Sequence, residues 1–133
     1  NLASRLEGQS KAYGVEILLS EATRTAVKDL AFLELDLVQV VGKSEPVRIF
    51  GLVGDASFAR GDVFIEAETL QTRMLGHYRT RRWQEALEVI GKLEQLELDR
   101  FKGYLLMMRK RIEAFKASPP GADWDGVERR LVK

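Results

Sequence analysis

The stretch Leu33-Glu34-Leu35-Asp36-Leu37-Val38-Gln39-Val40 decides how the chain is read. Leucines alternate with two acids, the period of a half-buried strand, and the apolar phase then moves to Val38 and Val40. A strand cannot change its buried face without a defect, so the slip predicts a bulge or bend near Leu37 and Val38. Residues 42–46 are turn-rich and 47–53 resume an extended pattern, which makes 33–53 an antiparallel hairpin. Working upstream, Ser20-Glu21-Ala22-Thr23 opens a helix, with Ser20 as N-cap and an acid in the first turn, running to about Asp29 or Leu30. Residues 15–19 read as a short, largely buried strand. Residues 1–12 read as a helix closed by Tyr13-Gly14, because glycine takes a positive φ past a helix end. On that helix Asn1 and Arg5 lie one turn apart on one face, while Leu2, Ala3 and Leu6 turn inward. An amide and a guanidinium aimed at one place suit a polyanionic ligand. An N-cap followed by an exposed arginine is the plainer account of the same spacing.

Working downstream, residues 54–62 are small and polar and mark a boundary. Beyond it the period is helical. Phe64, Ala67, Leu70, Met74 and Tyr78 form one stripe; Trp83, Ala86, Leu87, Ile90 and Leu93 a second; Phe101, Tyr104, Leu105, Met108, Ile112 and Phe115 a third. The connections at Arg79-Thr80-Arg81-Arg82 and Leu98-Asp99-Arg100 are short, as between antiparallel neighbours. Ser118-Pro119-Pro120-Gly121 stops the third helix, and Trp124 is expected to dock on the helices rather than leave its indole in water. The fold class is therefore α+β, in three segments: 1–54 with helix, strand, helix and antiparallel hairpin; 55–117, an all-α three-helix extension; and 118–133, a Pro-rich turn and tail.

The chain has 133 residues, enough for one compact domain or two small halves. A net charge of +1, from 21 basic and 20 acidic residues, argues against a broad nucleic-acid footprint, so any phosphate recognition is local. The lack of cysteine removes disulfides and thiolate metal sites. No apolar run reaches the ~20 residues of a membrane-spanning helix. With a single histidine there is no His cluster for metal, and His77 is expected on the surface or at a helix end. The basic groups Arg79, Arg81 and Arg82, and Arg109, Lys110 and Arg111, are expected at helix ends and on exposed faces. No Ser/His/Asp arrangement or phosphate-cradling glycine loop is visible.

Asn1-Leu2-Ala3-Ser4-Arg5-Leu6-Glu7, then Tyr13-Gly14 and Ile17-Leu18-Leu19-Ser20-Glu21, then Gly42-Lys43-Ser44-Glu45-Pro46-Val47, resembles the C-terminal part of the class III nucleotidyl cyclase catalytic domain, most of all that of bacterial adenylate cyclases. Three blocks in the right order carry the likeness, which covers residues 1–54. It implies a parent that converts ATP to cyclic AMP and diphosphate, with Mg or Mn as two ions held by two aspartates upstream of Asn1. It also implies a homodimer with the active site between catalytic domains arranged head to tail, a cytoplasmic location with any membrane anchor upstream, and no nucleic-acid partner. By the same likeness Asn1 positions the ribose, and Arg5 stabilises charge on the α-phosphate as the 3′-hydroxyl attacks. The family often carries a triphosphate-binding lysine where this chain has Val41, and Lys43 is expected to serve the turn or face solvent. A motif at the first residue, without an initiating Met, leads to the expectation that the natural polypeptide extends upstream. Residues 77–87 resemble the junction of a tetratricopeptide-type helical pair. The alternative reading, from a different class, is a non-catalytic regulatory or protein-interaction module.

Overall fold

The computed structural model of the chain describes residues 9–40 and 42–129. Strands β2 (Ala31–Val38) and β3 (Val47–Gly54) form the antiparallel hairpin, with Leu33 opposite Gly51 and Val38 opposite Val47. The register shifts fall between Glu34 and Asp36, and again between Ala31 and Phe32, rather than at Leu37 and Val38. The displaced register has a direct effect on burial: consecutive residues Leu35 and Asp36 are both fully buried. Alternation alone would have placed Asp36 in solvent beside Glu34.

Strand β1 (Leu18–Ser20) pairs antiparallel on the other side of β3 and is shorter than the 15–19 expected. Helix α1 (Ser10–Tyr13) precedes it and ends on Gly14, whose φ of 69° is the left-handed stop the sequence predicts. Ser20 caps α2 (Glu21–Ala26) as expected, its hydroxyl accepting from the Thr23 amide at 3.4 Å. The helix stops at Ala26, short of Asp29; it buries no residue, so little apolar burial rewards another turn.

A single turn, α3 (Ala56–Ala59), leads into α4 (Asp62–Arg79), α5 (Trp83–Gln95) and, through a 3-10 turn at Asp99–Phe101, α6 (Lys102–Ala117). Their buried faces follow the apolar stripes: Phe64, Ala67, Leu70, Met74 and Tyr78 on α4, Ala86, Ile90 and Leu93 on α5, Tyr104, Leu105, Met108 and Ile112 on α6. Helix α4 lies against β2, and α5 packs on both α4 and α6. One hydrophobic core joins Tyr13, Leu33 and Ile49 on the sheet side to Met74, Ile90 and Ile112 on the helices.

After α6 the chain turns back as a strap, residues 118–129. Its end, β4 (Val127–Glu128), adds to the free side of β2 in parallel, Leu37 opposite Val127 and Val38 opposite Glu128. The sheet order is therefore β1-β3-β2-β4. Trp124 docks as its indole requires, in edge and tilted contact with Tyr78, Trp83 and Phe115 at centroid distances of 5.3 to 5.6 Å. No helix among the described residues is long and apolar enough to cross a membrane.

Candidate functional site

The two residues singled out by sequence for ligand contact, Asn1 and Arg5, lie outside the described residues, as does Val41. Lys43 is exposed and serves the hairpin turn: its amide donates to Val40 O at 3.0 Å, and its carbonyl accepts from Gln39 Nε2 at 2.9 Å. What the described residues gather is a buried polar junction immediately downstream of that stretch. It joins α1, β2, α4, α6 and the strap.

The junction starts from the displaced register of β2. Irregular pairing frees backbone groups that must find partners once buried. The Tyr104 hydroxyl donates to Leu35 O at 2.6 Å, and Gln71 Nε2 donates to Glu34 O at 2.7 Å and to the Tyr104 oxygen at 2.9 Å. Asp36 is turned inward, where its carboxylate accepts from the Tyr13 hydroxyl at 2.7 Å, from Arg111 Nη1 at 2.7 Å and from the Leu37 amide at 2.9 Å. Arg111, with 7% of its side chain exposed, also faces Glu128 Oε2 at 3.5 Å and donates to the Tyr78 hydroxyl at 3.3 Å. Its guanidinium stands 5.8 Å from the Tyr13 ring centroid.

Charges sealed from water in this way depend on one another. Burial pushes the Asp36 carboxyl above its usual range, while Arg111, Tyr13 and the Leu37 amide pull it back. Burial works against the Arg111 charge, and the Asp36 carboxylate together with the Tyr78 and Tyr13 oxygens around it outweighs burial, so the guanidinium is held more firmly protonated than usual. Tyr78 is raised to about 12, first by burial, and Tyr13 and Tyr104 are raised further for the same first cause. All three hydroxyls therefore act as neutral donors and acceptors.

Arg111 is the clearest departure from the sequence expectation, which placed it with Arg109 and Lys110 on an exposed face. Arg109 does lie outward, pairing with Glu94 at 2.7 Å, and Lys110 is exposed. The phase slip shows that two consecutive residues of that strand face inward, but it points to Leu37 and Val38; that the acid Asp36 is turned inward, and so needs a buried base, follows from the register shift between Glu34 and Asp36.

Two further contacts fix the site's edges. Gly14 and Gly103 pass so closely that a Cβ on Gly103 would stand 2.8 Å from Gly14 O, which presses the end of α1 against the start of α6. Glu34, on the other face of β2, accepts from Arg79 at 2.9 Å and Arg48 at 2.7 Å. A groove of about 470 Å³ opens beside the junction, between Ala12 of α1, Met107, Lys110 and Arg111 of α6, and Glu128 of the strap. Among the described residues no three His, Asp or Glu side chains gather as a metal site, and Asp36 and Glu128 are turned on Arg111 rather than on an open position. Comparison with protein-family models, with curated proteins and with solved structures finds no match to this chain.

Proposed function

We propose that the chain is the charge-stabilising part of a class III adenylate cyclase catalytic domain, joined to a helical extension, whose parent converts ATP to cyclic AMP and diphosphate. One observation carries the reading: the ordered blocks that begin with Asn1-Leu2-Ala3-Ser4-Arg5 and end with Gly42-Lys43-Ser44-Glu45-Pro46-Val47. The element order over residues 10–54, helix end, short strand, helix and antiparallel hairpin, is compatible with it.

In this reaction the 3′-hydroxyl of ATP loses its proton and attacks the α-phosphorus, and the bond from that phosphorus to the diphosphate oxygen breaks. Negative charge gathers on the phosphoryl oxygens, where a preorganised guanidinium in a drying cleft is most effective. The reading gives that role to Arg5 and the positioning of the ribose to Asn1. By the same likeness the Mg or Mn ions of the reaction fall to two aspartates upstream of Asn1; Asp36 and Glu128 are engaged with Arg111. Lys43, exposed and engaged in its turn, has no assigned phosphate contact.

In the full-length parent, Arg5→Ala should lower turnover by a factor on the order of 10² or more with a smaller effect on KM, because the contact strengthens in the transition state. Cyclic AMP formation at saturating ATP measures it. Unchanged turnover would remove Arg5 from the chemistry, and a full-length parent that makes no cyclic AMP would favour the non-catalytic interaction module.

A further inference from the structure

The strap is held to the molecule by a few separate contacts, and its middle is exposed from Gly121 to Asp123. Arg81 is the first anchor: its guanidinium donates to Pro120 O at 3.0 Å and to Gly121 O, and lies over the Trp124 ring at 5.4 Å. Trp124 is the second, only half-buried among its aromatic neighbours. The third is the two-residue pairing of β4 with β2, extended by the Gln39 amide donating to Glu128 O at 3.0 Å.

The backbone at Arg81 is unusual for its residue type. It has a φ of 65° at the end of α4, where the Arg82 amide returns to His77 O and the Arg81 amide to Tyr78 O. Helix ends of this form favour glycine, which takes the left-handed conformation without steric cost. An arginine there sets a backbone cost against the grip of its side chain on the strap.

Behind the strap, Glu128 is the outermost member of a line that runs through Arg111 and Asp36 to Tyr13. Tyr13 is the buried residue of α1, a four-residue helix too short to persist without tertiary contacts. We propose that the strap is a releasable latch: seated, it completes the Glu128–Arg111–Asp36–Tyr13 line and orders α1, and released, it admits water to Arg111 and loosens residues 9–15. Local opening of this kind proceeds through elements with few buried contacts while the core stays closed. The latch rests on the contacts of the described residues alone. Its bearing on Arg5, shortly upstream of α1, rests on the cyclase reading.

Hydrogen exchange on the 133-residue chain tests the latch without any activity assay. Arg81→Gly removes the first anchor while relieving the backbone, so the variant should fold. It should raise exchange at the Tyr13, Gly14 and Val15 amides and at Gln39 by about tenfold or more, with Ile90 and Leu93 in α5 unchanged. Glu128→Gln, which keeps the strand pairing but removes the charge, should raise exchange at 13–15 and leave Gln39 protected. A rise confined to 118–129 and Gln39 in the first variant, no change at 13–15 in the second, or an equal rise throughout the chain in either would overturn the latch.

Discussion

Arg111 is the residue on which the interior depends most. Its replacement by alanine leaves Asp36 fully buried without a counter-charge and Glu128 beside it. Breaking a buried pair from one side costs about 3 to 5 kcal/mol, because the remaining charge is stranded. Arg109→Ala, which removes an exposed partner of Glu94, should cost under about 1 kcal/mol. Urea denaturation of the two variants separates these cases, and equal midpoints would mean that Arg111 is effectively solvated. The contrast also locates what was hard to read in the sequence. Arg109, Lys110 and Arg111 are consecutive basic residues on one helix, and only the partner across the fold distinguishes them. Helical period placed Tyr104, Met108 and Ile112 correctly because apolar burial needs no specific partner. It was silent on Arg111 because a buried ion pair is a relation between distant positions.

At the scale of elements, three tyrosines from α1, α4 and α6 meet at β2, and their hydroxyls give the interface a pH limit. Each has a folded-state pKa above the ordinary 10.0, Tyr78 at about 12 and the others higher, with burial the first cause. The folded chain therefore holds more protons than the unfolded chain above pH 10. By linkage the contribution is fully present below pH 10 and is lost as pH rises from there through about 12. Urea midpoints taken between neutral pH and about pH 11 should fall steeply at the alkaline end, and tyrosinate absorbance should appear together with unfolding. Tyrosinate forming in a chain that remains folded would show these hydroxyls open to water. The elements themselves were largely legible: the hairpin, the Ser20 cap, the Gly14 stop and the three long helices follow from local pattern. The position of the register shift was missed by a few residues, since the apolar slip marks where the phase has changed and not where the ladder breaks. Strand β4 was not legible. Two residues carry no periodicity, and their partners Leu37 and Val38 lie about 90 positions away in the chain, reached by a strap that Arg81 and Trp124 anchor.

Across the whole molecule, the sheet and the long helices share one core, and the strap runs over both. Directly after the Asn1 to Arg5 stretch, the chain is tied to that core by the Tyr13 to Asp36 hydrogen bond and the close approach of Gly14 to Gly103. The stretch itself was read from residue types in order, and its contacts fall outside the described residues. The reading therefore stands or falls on chemistry. It divides the active site between two copies, one giving Asn1 and Arg5 and the other the metal-binding carboxylates. The most direct measurement is cyclic AMP synthesis by a mixture of two full-length variants, one carrying Arg5→Ala and the other lacking the upstream metal-binding aspartates. Each alone should be nearly inactive, and mixing should restore synthesis well above the sum of the two, because some mixed dimers hold one intact site. A mixture no more active than its components, with mixed dimers shown to form, would contradict the shared site and with it the role given to Arg5.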